Sequence, residues 1–513
     1  MPLRIRALLG GALLAVGLLT WTPVPAGVWN DDGVYLVIAQ SLAAGEGLRY
    51  GGVPGGPAAS KFPPVWPALV ALVGGATPDH GGRLVFVNLA LLALAGTLLA
   101  AWLSDHLGIP PVRAALLALL ASLPGPLWTV AAIPLSEPLF LVAVLLALGA
   151  AARVERGDGL RAEATLLAAL GLAFYTRTVG AVLPLAVVLA LLLRRRPAPA
   201  LRVGLGSVLL ALPWILWSGA ATRALDPGLR DTLGSYGSWW IGQIRTEPAA
   251  YRAWLGQNLE AVVRDATALL LPGVEGAAGL LLAVPVWGAV VVGLIRIGRA
   301  SRTVPLALLG SLTLVWLWPF QSARLLTPWA PLLMAALLLG AGRMLRAGRA
   351  APAALGGAMA GVVVLAALLH AWALGTGRPW RGLEQRAEAL ARAVASVEAH
   401  VPPDGVVGAP EMWAALRVHT GRRAAPSARF LPLQTRAPSW GSPAQQVALW
   451  RATGIDGLTT GTANDVHAET LTRLEERCPG AVHILDTQPG MLLVRVGLDE
   501  ACLRRWDSAA PPS

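Results

Sequence analysis

The sequence predicts an all-α polytopic membrane protein, with about eleven crossings and surface helices in its first outer loop, followed by a small α/β domain outside the membrane. Three observations carry this. Hydrophobic residues make up 55% of the 513 and charged residues 14%, with a mean hydropathy of +0.60, far more apolar than a soluble domain needs. The apolar residues come in runs close to the roughly 20 residues that carry a helix across a bilayer. Polar linkers of the kind that separate several soluble cores are missing before about residue 375.

The first run, 5–28, has a short basic leader and ends in Val24-Pro25-Ala26-Gly27, which resembles a signal-peptidase site. The many runs that follow, and the polar residues directly after it, favour an uncleaved anchor. Further spans are predicted over 82–104, 112–131, 138–153, 162–176, 178–193, 200–222, 274–296, 303–320, 325–343 and 352–374.

A net charge of +12 and a pI near 11.0 raise the question of nucleic acid, which the placement of the arginines answers in the negative. They cluster at Arg4 and Arg6, Arg153 to Arg161, Arg194 to Arg196, Arg296 to Arg302 and Arg343 to Arg349, at every second loop between apolar runs. That is the positive-inside pattern. It puts the amino terminus in the cytoplasm and, with an odd number of crossings, the carboxyl end outside.

Two domains follow, a membrane core over 1–374 and an extracytoplasmic α/β domain over 375–513. Within the core, the outer loop 29–80 reads as one or two surface helices, and the loop 223–273, with Tyr236, Trp239, Trp240, Tyr251 and Trp254, has the aromatic content of an interfacial belt. In the tail, 383–400 alternates apolar and charged residues at helical spacing, Val406-Val407 leads into a second helix over 411–419, and 482–485 with 491–496 form a hairpin across Gln488-Pro489-Gly490. Cys478 and Cys502 both fall there, where an oxidising compartment permits a bridge that spacing alone does not establish.

Charges beside membrane spans are costly and persist where something requires them. On the outer side these are Asp31, Asp32, Lys61, Arg83, Glu137, Arg177 and Arg324. Asp31 and Asp32 open a surface helix, where capping and macrodipole compensation are the plain explanation. Adjacent helical residues point about 100° apart, so one can face a site while the other caps or orients. A carboxylate there can take a proton from an acceptor hydroxyl. Lys61 is the only lysine in the sequence; it suits either a snorkelling anchor or a phosphate contact. Arg177 and Arg324 lie where the positive-inside bias does not explain them, which favours pairing with an anionic ligand over a headgroup contact; Arg83, at the start of a span, is weaker evidence. Glu137 lies in a tight turn and can pair with either arginine, orient a catalytic cation or help bind acceptor. No CxxC, HExxH, Walker A or GxSxG motif is present, so zinc, nucleotide and serine-hydrolase chemistry have no support.

The order of these pieces resembles the GT-C superfamily of polyprenyl-phosphate-sugar-dependent glycosyltransferases, especially the branch with protein O-mannosyltransferases and the aminoarabinose transferases of lipid A. Asp31-Asp32-Gly33-Val34-Tyr35 is similar to the family's Asp-Glu-x-x-Tyr, with Asp32 replacing Glu, and Lys61-Phe62-Pro63-Pro64 to its Lys-Pro-Pro with a Phe inserted. Ser136-Glu137-Pro138 resembles its Ser-Glu-Pro turn, Thr176-Arg177-Thr178-Val179-Gly180 its Thr-Arg-Pro-x-Gly, and Arg324-Leu325-Leu326-Thr327-Pro328 its Arg-Tyr-Leu-Leu-Pro. Each motif is short; their order, each at a helix end, carries the resemblance over about residues 1–345.

The resemblance implies a GT-C fold and transfer of a hexose or pentose from a polyprenyl-phosphate donor, in a bacterial inner membrane, to an acceptor lipid, protein or polysaccharide on the periplasmic or extracellular face. Asp31, with Asp32, would be catalytic; Lys61, Arg177, Arg324 and Arg83 would hold the lipid phosphate; Glu137 and Tyr35 would orient the site or the acceptor. Some members hold a divalent metal on outer-loop carboxylates, for which Asp31, Asp32 and Glu137 are the candidates here. The competing readings are a lipid-linked-sugar flippase, which predicts repeat symmetry and cavities open to both sides, and a non-catalytic assembly factor whose tail binds a partner.

Overall fold

The computed structural model describes residues 1–21, 23–74, 81–274, 276–319, 323–347, 353–378, 380–429, 442–461 and 466–508. From the amino terminus the helices are α1 (Leu3–Thr20), α2 (Asp31–Ala43), α3 (Val65–Leu72), α4 (Gly81–Leu107), α5 (Pro111–Ala121), α6 (Gly125–Ala131), α7 (Glu137–Arg156), α8 (Leu160–Thr176), α9 (Val182–Leu193), α10 (Pro197–Ala224), α11 (Pro227–Leu233), α12 (Tyr236–Thr246), α13 (Pro248–Leu270), α14 (Gly276–Ala300), α15 (Thr303–Leu317), α16 (Ala323–Leu326), α17 (Ala330–Ala347), α18 (Ala353–Gly375) and α19 (Arg381–His400). The tail adds β1 (Val406–Ala409), α20 (Trp413–Thr420), β2 (Arg423–Pro426), α21 (Pro443–Thr453), β3 (Gly457–Gly461), α22 (Ala468–Arg477), β4 (Val482–Gln488), β5 (Met491–Val496) and α23 (Glu500–Ser508).

Among the described residues, six helices are long and apolar enough to cross a membrane, which makes this a multi-pass membrane protein. A seventh span results if α5 and α6 count as one, bent by 76° at the break over Ser122 to Pro124. Thr178–Leu193, Thr303–Leu317 and Ala360–Gly375 are apolar but shorter. The predicted count of eleven also takes in these three and α8. Arg349, and Phe320 to Ser322 ahead of Arg324, lie outside the described residues.

The chain divides into two compact units. The first comprises Met1–Pro23, Val85–Trp214 and Leu255–Arg381. Its tightest packing joins α14 to α17, where Gly293 meets the carbonyl of Ala336 and Gly340 that of Ala289 so closely that a Cβ on either glycine would overlap the facing backbone. Small residues let helix backbones approach where lipid supplies no hydrophobic drive.

The second unit comprises Val24–Leu84, Ile215–Trp254 and Gly382–Ser513, so the stretch 29–80 as far as it is described, and the part of 223–273 up to Trp254, group with the tail. Its sheet has the order β2-β1-β3-β5-β4. The predicted hairpin is present, β4 and β5 pairing antiparallel with Val482 opposite Val496. β1 pairs parallel with β2 and with β3, through helical crossovers. Cys478 and Cys502 are disulfide-bonded and buried in the core with Trp450, Leu474 and Trp506. The β2 edge is met by the segment around Gly52, the amide of Ala424 donating to the carbonyl of Gly52 at 3.0 Å. As far as it is described, the stretch 29–80 contains two helices, α2 and α3, and most of α2 is buried.

Candidate active site

In the first unit the predicted site residues meet at the ends of three helices. Helix α7 starts at Glu137 because Pro138 fixes the first turn without needing a donor, and a carboxylate there suits the helix dipole. The preceding turn is pinned by Asn88, buried in α4, whose Nδ2 donates to the carbonyls of Ile133 (2.7 Å) and Leu135 (3.2 Å). Helix α8 stops at Thr176, and Arg177 is extended (φ −149°). Gly180 lets the chain fold back, since a Cβ there would fall 2.8 Å from the Ala173 carbonyl carbon. Arg324 lies in the single turn of α16.

Glu137 is 1% exposed, and Oε1 accepts from both arginines, at 2.7 Å from Arg177 and 2.6 Å from Arg324. Arg177 also donates to Ser136 Oγ at 3.1 Å. A buried carboxylate without a partner would be very costly, so the arginines hold Glu137 in place as much as it holds them. Two cations against one carboxylate leave the group net positive.

In the second unit, Asp31 and Asp32 occupy the first turn of α2 and take different parts. Asp32 is fully buried; Oδ2 accepts from the Gly27 amide at 2.6 Å and Oδ1 from the Trp29 amide at 3.0 Å. It folds the preceding turn. Asp31 is partly exposed, and its charge acts on Lys61 and Tyr50. Lys61 donates from Nζ to the Thr232 carbonyl at 3.1 Å and lies 4.8 Å from the centre of the Tyr236 ring, a cation–π contact. Its amide donates to the Tyr50 hydroxyl at 3.3 Å. That hydroxyl and Ser60 Oγ both donate to the Leu233 carbonyl, at 3.1 and 2.7 Å. Burial pulls the Lys61 ammonium down to about 8, with Asp31 opposing the shift, while burial pushes the Tyr50 phenol up. Tyr35 is buried edge-on against Phe62 (5.0 Å), which meets Tyr236 (6.0 Å), so the inserted Phe62 links the two tyrosines. Arg83 stands exposed on the first turn of α4.

Among the described residues no group of three or more His, Cys, Asp or Glu is placed to hold a metal ion. Asp32 spends both oxygens on amides, so it offers no open donor set, and Glu137 spends Oε1 on two guanidinium groups.

The structure thus gathers Glu137, Arg177 and Arg324 in one unit, and Asp31, Lys61 and Tyr35 with Phe62 and Tyr236 in the other. Sequence reasoning missed Asn88, Tyr50, Ser60 and Thr232. The isolated polar Asn88 inside an apolar run was the one legible signal.

No family model and no curated protein matches the sequence. Among solved structures, the chain is similar to ArnT from Cupriavidus metallidurans bound to undecaprenyl phosphate, at 13% identity with a TM-score of 0.56 over 99% of each chain. The same protein in the apo state gives 13% identity and a TM-score of 0.54, again over 99% of each chain. The chain has the GT-C fold. Arabinofuranosyltransferase AftD from Mycobacteria is matched at 16% identity and a TM-score of 0.44, over 98% of this chain and 40% of that one. At 13% identity the likeness to ArnT shows the fold alone.

Proposed function

We propose that this protein is an integral membrane glycosyltransferase that moves a sugar from a polyprenyl-phosphate donor to an acceptor on the outer face of a bacterial inner membrane. The observation that carries the reading is the pair Arg177 and Arg324, fixed on one oxygen of buried Glu137. Fixed cations at helix ends suit a phosphate that arrives from lipid. The undecaprenyl phosphate bound to ArnT, a chain of the same fold, supports the same ligand class.

In this reading the acceptor hydroxyl attacks the anomeric carbon while the bond from that carbon to the phosphate oxygen breaks. The electron pair leaves on the phosphate, and the proton passes to the Asp31 carboxylate as general base. One displacement inverts the anomeric configuration. Phosphate is already a good leaving group, so the protein's main task is to stabilise developing charge with prepositioned cations. Arg177, Arg324 and Lys61 take that role, with Arg83 at most peripheral. Asp32 holds the turn that presents Asp31, Glu137 orients the arginines, and Tyr35 backs the segment carrying Lys61.

The test is release or transfer of labelled sugar from a panel of undecaprenyl-phosphate hexoses and pentoses by the purified full-length protein. Wild type is expected to turn over at least one donor, and Asp31→Asn and Arg324→Ala to lose that activity. Undiminished turnover by both variants would overturn the site, and no turnover of any donor would overturn the reaction.

A further inference from the structure

The roles above leave unexplained why the carboxyl-terminal domain grips the turn ahead of Asp31. That turn is unusual. The amide of Asp31 donates to the carbonyl of Trp29 at 3.0 Å, and Asn30 between them has φ 71° and ψ −64°. This is a γ-turn of the rare, strained kind. A non-glycine residue at positive φ costs of order 1–3 kcal/mol and persists only where the surroundings over-determine it.

The surroundings here come from two sides. Asp32 takes the amides of Gly27 and Trp29. Two carbonyls of the same segment, those of Ala26 and Val28, are held by the tail. His419, in the last turn of α20, has Nε2 2.7 Å from the Ala26 oxygen. A carbonyl only accepts, so that nitrogen carries the proton and donates. Arg386 of α19 lies 4.8 Å from the centre of the Trp29 ring and reaches the Val28 carbonyl at 3.5 Å. Helix α20 also meets the turn and α2 backbone to backbone. A Cβ on Gly33 would lie 3.0 Å from the Ala415 nitrogen, and one on Gly27 (φ +97°) 2.5 Å from the Ala415 Cβ.

We infer that the carboxyl-terminal domain is a positioning element for the Asp31 carboxylate, with His419 and Arg386 as positioning residues that hold the strained turn at Asn30. The inference rests on Asp31 being the general base. It gives the tail a role inside the reaction cycle. The tail fixes the direction in which Asp31 leaves the turn, and a change in the tail is read out at the base without any contact to the donor.

The experiment uses the full-length protein, with undecaprenyl-phosphate pentoses and hexoses as probes and sugar released to water or acceptor as readout. His419→Leu and Arg386→Ala are expected to lower kcat by about tenfold or more, since a misplacement of about 1 Å can cost about a hundredfold, with donor KM and thermal midpoint little changed. His419→Gln, whose side-chain amide can donate to the same carbonyl, is expected to recover most of the loss. Full kcat in both His419→Leu and Arg386→Ala would overturn the inference. So would a joint collapse of kcat, KM and thermal midpoint that His419→Gln does not rescue. Asp31→Asn separates the two levels. If it turns over donor like wild type, the base assignment fails. If it is dead while the His419 and Arg386 variants run at full rate, only the positioning role fails.

Discussion

Glu137 and Glu155 stand at the two ends of one helix, α7, both buried and both bonded to arginine. The separation of 18 residue steps (155 minus 137), at about 1.5 Å each, spans roughly 27 Å, close to the roughly 30 Å of a hydrocarbon core. Their partners differ. Glu155 accepts from Ser301 Oγ (2.6 Å), the Arg302 amide (2.9 Å), Thr303 Oγ1 (2.8 Å) and amide (3.1 Å), and Arg194 Nε (3.3 Å). It closes the amino-terminal end of α15, whereas Glu137 holds Arg177 and Arg324, side chains that the proposed reaction uses.

Glu155→Ala therefore acts on stability. It strips several partners at once and leaves the Arg194 charge without its carboxylate, a change worth about 3–5 kcal/mol when such a pair is buried. Thermal unfolding of the purified protein is expected to show a lower midpoint, while donor KM in the folded fraction stays at the wild-type value. An altered KM with an unchanged midpoint would assign Glu155 to the site.

Which of these roles was legible in the sequence follows from how each residue interacts. The helix ends carrying Glu137, Arg177 and Arg324 could be read because a charge beside an apolar run stands out against its neighbours. That the two arginines share one oxygen could not, since it depends on how three helices pack. The division of labour at Asp31 and Asp32 was half legible. Helical geometry required them to point apart, but only the folded turn shows that Asp32 is the one consumed by amides. Lys61 stood out as the sole lysine, yet its partner Tyr236 lies 175 residues away (236 minus 61) and read as one interfacial aromatic among several. In the tail, the hairpin was visible from its local turn. β1 to β3 are short parallel strands joined by crossovers, and no local turn signal announces such pairings.

The disulfide joins Cys478 to Cys502 across 24 residues inside the tail's core. Closing a loop of that size in the unfolded chain corresponds to about 3.5 kcal/mol in the chain-entropy picture. Replacing both cysteines by serine is expected to lower the tail's resistance to proteolysis and the thermal midpoint accordingly, with a small effect on donor KM. Unchanged resistance would show that the core alone holds the domain.

Gly340 and Gly293 set the approach of α14 and α17. A side chain at either must push the facing backbone away, and a close-packed interior transmits that strain. Gly340→Leu is expected to destabilise by at least the roughly 1–3 kcal/mol typical of overpacking, whereas Gly342→Leu, where a Cβ meets nothing within 4 Å, serves as the tolerated control. Equal melting of the two variants would remove the close packing as the cause.

Lys61 supplies a pH dependence whose sign follows from its surroundings. Its pKa falls from 10.5 to about 8, chiefly through burial. Below that value the ammonium is charged in both the folded and the unfolded chain, and the folded state bears the full penalty of burying it. Between about 8 and 10.5 the folded protein has released a proton that the unfolded chain still holds, so stability rises with pH across that window. Phosphate binding runs the other way. It needs the ammonium, so kcat/KM for donor is expected to decline as pH rises through about 8. Lys61→Arg keeps its charge throughout, because a guanidinium does not titrate below a pKa of about 12, and its kcat/KM should lack that decline even if its absolute value is lower. A decline of the same shape in both proteins would move the titration to another group. A flat wild-type profile would remove Lys61 from the phosphate contacts.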